Sequence, residues 1–290
     1  SSAASDVYKR QVIINYRKEL NMYINTGSKE DIEKSLCQVL NITKERLYKL
    51  IDECYNLFQK DHQVFVLDDQ FDFFYRFVER HQVENIDQAL LIHLSRRLKH
   101  DGDNNGYSFE DTLTHQTALS DFLRKYGITF RYDECIKMMV NNNEIDLDNG
   151  DESYSYYYLK NRFGYLYNDF NFKGYMFGDD IKKSEAYEIH KEGPEFFGYL
   201  FLFTDDQFID DFYEQSEYYK FEYLVPLEML NFEDCESLSN IDKQRYIIVN
   251  CLQRLYRYVF DPDMNIYENR VLCICLLYTS DAADDTPCVD

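Results

Sequence analysis

One oxygen-rich run, Asp101-Gly-Asp-Asn-Asn-Gly-Tyr107, has residue types that could bind a hard cation. Carboxylates at its first and third places, an amide oxygen at its fifth and a glycine at its sixth let a tight loop present alternate side chains to calcium. The pattern then departs: Ser108 takes the eighth place, where an apolar residue is expected, and Thr112 takes the twelfth, where a bidentate glutamate belongs. Glu110 and Asp111 are close but out of register. The same residues also suit a solvated turn, because Asp, Asn and Gly populate turns for their own reasons. In a second acidic stretch, Asp146–Asp151, glycine comes one place early, so it reads as a loop. Just upstream, Arg96-Arg97-Leu-Lys99-His100 forms a basic island. It suits an anion such as a pyrophosphate, or it pairs with neighbouring carboxylates on a solvated face.

The first run resembles the opening of an EF-hand calcium loop, with Asp101, Asp103 and Asn105 as ligands and helices expected on both flanks. A second set is spread more widely. His93-Leu-Ser95 lies in an apolar segment, Arg162-Phe-Gly-Tyr165 and Phe172-Lys-Gly-Tyr-Met-Phe177 follow, and Phe221-Glu-Tyr-Leu-Val225 comes last. Over about residues 82–230 this order resembles ADP-ribosyltransferases of the His–Tyr–Glu type, with His93-Leu94 where that family carries His-Gly. The resemblance implies NAD as cofactor. His93, with Ser95 nearby, would hold the nicotinamide ribose. Tyr175 or Tyr165 would stack on the nicotinamide, Arg96 would face the pyrophosphate, and Glu222 would be catalytic. A carboxylate stabilises an oxocarbenium-like transition state, and an aromatic face packs against the departing ring. Each of these residues also has an ordinary structural role: a hydrogen-bonded core histidine, rim tyrosines, and the outward glutamate of an alternating strand.

Composition limits what such sites could serve. The net charge is −22, which repels phosphate backbones and disfavours a nucleic-acid surface, but suits a basic protein partner. Hydrophobic content of 45% and aromatic content of 17% predict a packed globular chain, not a disordered one. No apolar run approaches the length of a membrane span. Cys37, Cys54, Cys135, Cys235, Cys251 and Cys273 form no C-x-x-C and no zinc spacing with histidine, so they read as buried thiols in a reducing cytoplasm. Glycine-rich phosphate loops, a G-x-S-x-G elbow and H-E-x-x-H are absent from the sequence.

The elements that must position these residues read as α+β: a helical module over 12–80, then a larger domain over 82–274 with an antiparallel or mixed sheet. Ser28-Lys-Glu-Asp31 predicts a capping box, and Thr43 caps a second helix striped by Leu47, Leu50, Ile51 and Cys54. Gln70–Arg80 is a third, aromatic-rich helix. Ile86–Arg97 is periodic enough for a helix, although Leu90–Leu94 also fits a buried strand. Asp111–Lys125 reads as one helix ending at Gly127. Strand density falls on Ile128–Arg131, Ser153–Leu159, Gly174–Phe177 and Phe221–Val225. Thr204–Gln207 and Ser239–Asp242 predict two further caps, the second opening the longest helix, with a strand near Arg270–Ile274 after it.

The two ends form a separate case. Ser1–Gln11 (SSAASDVYKRQ) resembles a translated transposase-based library adapter. The reverse complement of one codon set for it, shifted by one nucleotide, encodes a peptide matching Cys275–Asp285 (CLLYTSDAADD). Residues 1–11 and 275–290 are therefore expected to carry no specific packing. Setting them aside leaves a net charge of about −19 and removes Cys275 and Cys288 from any cysteine argument. Together these features predict a cytoplasmic bacterial or phage protein with an ADP-ribosyltransferase-like domain. The alternatives are a non-enzymatic acidic interaction module and a calcium loop at 101–111.

Overall fold

A computed structural model of the chain describes residues 8–13, 22–60, 67–150, 153–167, 169–232, 238–260 and 271–274. The chain starts with β1 (Tyr8–Ile13) and β2 (Tyr23–Ile24), then the helices α1 (Lys29–Val39), α2 (Lys44–Lys60) and α3 (Leu67–Arg80). The long strand β3 (Gln88–Leu98) leads into α4 (Phe109–Thr114), α5 (Ala118–Lys125), β4 (Ile128–Asp133), β5 (Cys135–Val140), β6 (Asn143–Glu144) and α6 (Tyr154–Arg162). Next come β7 (Phe172–Tyr175), α7 (Glu185–Lys191), α8 (Phe197–Leu200) and α9 (Gln207–Gln215). The chain continues through β8 (Ser216–Pro226), β9 (Leu230–Phe232), α10 (Asn240–Phe260) and β10 (Val271–Ile274).

The central sheet runs β1-β8-β3-β7-β10-β9, with β2 also on β3, and is mixed, as an α+β chain requires. Its spine is the antiparallel pair β3–β8, in register from Gln88↔Pro226 to Leu98↔Ser216. That pairing overrides the helical periodicity of 86–97. Both faces of β3 are covered, so its sequence reads as a near-continuous apolar run and its alternation is hidden. Ala89, Leu91, Phe221 and Tyr223 point into a core shared with α1, α2, α3 and α10. Leu90, Ile92 and Leu94 point the other way, against Ile181, Tyr187 and Tyr218.

Between β3 and β8 the chain makes an excursion with its own core: Leu113, Phe122, Ile128, Ile136, Phe163 and Phe208 are buried together around β4, β5 and the surrounding helices. Two expectations fail within it. Ser153–Leu159 is helical, not a strand. Only Leu159 of α6 is buried, so no alternating face exists to hold a sheet. A Schellman end stops the helix: Gly164 at φ 83 lets Tyr165 N–H reach the Lys160 carbonyl (3.0 Å) and Gly164 N–H reach that of Asn161 (3.2 Å). The single helix expected over 111–125 is broken in two, because Thr117 and Ser120 cap each other reciprocally and start a new helix there.

The caps at Ser28, Thr43 and Ser239 form, each hydroxyl accepting a backbone N–H three residues on. Before α9 the N-cap is Asp206, two residues later than Thr204, and the Asp205 carboxylate accepts the Gln207 amide (2.8 Å). Tyr8–Ile13 departs from the expected absence of packing. It runs parallel along β8 from Tyr8↔Tyr219 to Ile13↔Leu224, since an open sheet edge accepts any extended segment of suitable propensity. The remaining adapter-like residues, 1–7 and 275–290, lie outside the described residues, as does Cys235.

Candidate functional site

The excursion folds back beside the C-terminal half of β3 and leaves a cleft of about 930 Å³ between the two. One wall is consecutive chain, His93 to Leu98 of β3. Facing it are α5, the end of α6, the turn before α8, and Lys173–Tyr175 of β7. Of the residues singled out from the sequence, His93, Ser95, Arg96, Tyr175, Asp101 and Asp103 all line this cleft, whereas Asn105, Tyr165 and Glu222 do not.

Strand parity separates His93 from Glu222. Ile92 is opposite Glu222 and also opposite Tyr175, so those three side chains share one face of the sheet. His93 is opposite Phe221 and shares the other face, its ring 4.4 Å from that of Phe172 and 6.2 Å from that of Phe221. His93 and Glu222 therefore project to opposite sides of the sheet, and the His–Tyr–Glu constellation expected from the sequence is not assembled. Glu222 is buried beside Lys220 (3.1 Å) under the turn that carries Gly27. Tyr165 is half-buried against the core of the excursion with the Lys137 ammonium 4.4 Å over its ring, and burial pushes its hydroxyl up to about 12.

His93 is locked by its neighbours. Nδ1 lies 2.9 Å from the Lys173 carbonyl, which only accepts, so Nδ1 carries the proton. Burial, helped by the Arg97 charge, pushes the imidazole pKa down to about 3 and keeps the ring neutral. Tyr175 has a partner that spacing alone did not supply: its hydroxyl is 2.9 Å from His190 Nε2, and burial lowers the pKa of that histidine as well.

Arg96 does not present its guanidinium to an anion. Nε donates to Ser216 Oγ (2.7 Å), and the terminal nitrogens donate to the carbonyls of Lys191 (3.0 Å), Tyr213 (3.0 Å) and Ser216 (3.3 Å). The group also stacks 3.9 Å over the Tyr213 ring. It is a clamp joining α7, α9 and β8. The other cations of the cleft are engaged too: Arg97 with Asp101 (3.7 Å), Lys173 with Asp169 (2.7 Å), and Arg162 with the Asp169 carbonyl (3.2 Å) while stacked on Phe109 (3.9 Å).

Of the two helices expected to flank a calcium loop, only the downstream one, α4, is present. A strand, not a helix, precedes the loop. Asp101 accepts the Asp103 amide (3.0 Å), and Asp103 accepts the Asn105 amide (2.9 Å) together with the Tyr107 hydroxyl. The Asn105 carbonyl takes a bond from Arg97 (3.4 Å). These are Asx turns, in which each carboxylate supports the loop's own backbone. Among the described residues no three of His, Cys, Asp or Glu converge as a metal site requires, and no helix there is long and apolar enough to cross a membrane.

The residues not anticipated as a group are Lys173, Asp169, Arg162, Asn161, Tyr158 and Glu195. All come from the excursion, and only the return of β7 to the central sheet brings them to β3. No family model, no curated protein and no solved structure matches this chain.

Proposed function

We propose that the chain is a recognition module, not a transferase, and that its cleft takes a basic segment of a protein partner. The observation that carries this is the state of the cleft's cations: Arg96, Arg97, Arg162 and Lys173 each already meet a protein carbonyl or carboxylate. An anionic ligand such as NAD would compete with those bonds for the same cations. A cationic segment meets no such cost, and the −22 charge of the chain draws it in over a screening length of about 10 Å. The opposite orientation of His93 and Glu222 removes the geometric requirement of the transferase chemistry, since catalytic groups must reach one substrate.

Titration calorimetry separates the alternatives. A lysine-rich unstructured peptide gives a saturable heat that fades with added salt. Ala118→Trp, which fills the cleft wall, removes that heat without changing the melting temperature, whereas Glu144→Gln on the far sheet leaves it intact. NAD gives no saturable heat. An NAD isotherm abolished by Glu222→Gln would restore the transferase reading and end this one.

A further inference from the structure

We infer that the cleft takes its partner as an added β-strand: an extended segment of alternating basic and apolar residues, paired with the backbone of Leu94 and Arg96. The inference rests on the recognition function proposed above and specifies its mode.

The backbone directions of β3 follow from two bonds at its ends. Lys99 N–H donates to the Gln215 carbonyl (2.9 Å) and Leu227 N–H donates to the Asp87 carbonyl (2.9 Å). Both pairs continue the β3–β8 register, so odd-numbered residues of β3 turn their N–H and C=O toward β8 and even-numbered ones turn away. On the far side Ile92 meets Tyr175 of β7, and the Leu98 carbonyl accepts Asp101 N–H (2.9 Å). Leu94 and Arg96, between them, direct their N–H and C=O groups into the cleft. Among the described residues no strand continues the ladder past Ile92.

His93 is the reason the ladder stops. Two residues further, the β3–β7 register would set Leu94 against Lys173, but the Lys173 carbonyl is held at 2.9 Å by His93 Nδ1. The imidazole thus works as a wedge that parts β7 from β3. A strand edge left open this way pairs readily with another chain. Here the edge is recessed, with α5 and the end of α6 opposite, so the recess selects one extended chain over a whole sheet. Neighbouring strands sit about 4.8 Å apart, and two outward-facing residues serve a segment of about five residues, roughly 17 Å long. Leu98, Leu119, Phe172 and Phe196 in the lining suit apolar side chains on one face of that segment. The acidic surplus of the chain suits basic side chains on the other.

The test uses a pool of eight-residue peptides with lysine at alternate positions and Val, Ile, Leu, Phe or Tyr between them, added to the full chain. Amide exchange at Leu94 and Arg96 is expected to slow at least about tenfold, while Ser95, already in the β8 ladder, does not change. Two N-methylated series then read the mode, one methylated at the lysines and one at the apolar positions. Only one should weaken, by about tenfold for the loss of one or two backbone bonds, because alternate amides of an added strand face opposite ways. If both series or neither weaken, or if Leu94 and Arg96 stay unprotected while the peptide still binds in a salt-sensitive manner, strand addition is wrong and the recognition function stands. If no peptide binds at any salt concentration, the recognition function fails and takes this inference with it.

Discussion

Two regions of the molecule hold a buried or half-buried arginine, and they satisfy it in opposite ways. On α10, Arg254 is 4% exposed and meets Asp179 through Nε (2.9 Å) and a terminal nitrogen (3.2 Å), with a further bond to the Asp179 carbonyl (3.0 Å). Tyr258 donates to the same carboxylate (2.6 Å), and burial raises its hydroxyl pKa. Beside the cleft, Arg96 makes four bonds, none of them to a carboxylate: its partners are carbonyls, one hydroxyl and the Tyr213 ring. A charge sealed from water needs an opposite charge, whereas one near water can rest on dipoles. The contrast separates a closed junction, which ties α10 to the turn after β7, from a wall that stays open to solvent and ligand.

The sharpest way to break this comparison is to remove one half of the closed pair. Arg254→Ala strands the Asp179 carboxylate in the core and is expected to cost about 3–5 kcal/mol in urea unfolding. Arg254→Met with Asp179→Leu recovers most of that, because two apolar groups need no partner. If the single variant costs less than about 1 kcal/mol, the junction is wetter than its 4% exposure states and the contrast with the cleft collapses.

At the open wall the expected effect is smaller. Arg96→Ala releases the bonds that join the ends of α7 and α9 to the start of β8, for about 1.5–3 kcal/mol. Arg96→Lys should recover little, since an ammonium cannot reproduce a planar fork spread over three carbonyls and a hydroxyl. Full rescue by lysine would mean that charge alone matters there. The clamp role would then be lost, and the wall would need a different account.

How much of this was legible in the sequence depends on whether the deciding contact was local. The caps at Ser28, Thr43 and Ser239 were visible because a cap is made within four residues. The α+β class was visible for the same reason. The choice of strand over helix for Gln88–Leu98 was not, because it depends on a partner more than a hundred residues away. Membership of the cleft was half legible. His93, Ser95, Arg96 and Tyr175 were picked by residue type, but parity on the sheet, which puts His93 and Glu222 on opposite faces, needs the strand and its register first. His190 was passed over because its partner Tyr175 is fifteen residues away across a turn and a helix, a separation with no periodic signature.

The gentlest test of the comparison is pH applied to His93, the wedge of the open region. Its imidazole is held near pKa 3 in the folded chain against 6.5 for the free side chain, so the unfolded chain binds a proton between those values and the folded chain does not. Stability from this group is complete above about pH 6.5 and is lost as pH falls toward 3. His93→Asn keeps a donor for the Lys173 carbonyl but does not titrate, and at pH 7 it is expected to cost about 1 kcal/mol of packing and bond geometry. Thermal melts of both proteins from pH 7 to pH 4 should then converge, with the variant losing less than the native chain as the buffer is acidified. Parallel curves would mean that the ring is protonated in place. A charged His93 would still hold the Lys173 carbonyl, but the cleft would carry one more cation, and a basic ligand would be the wrong partner for it.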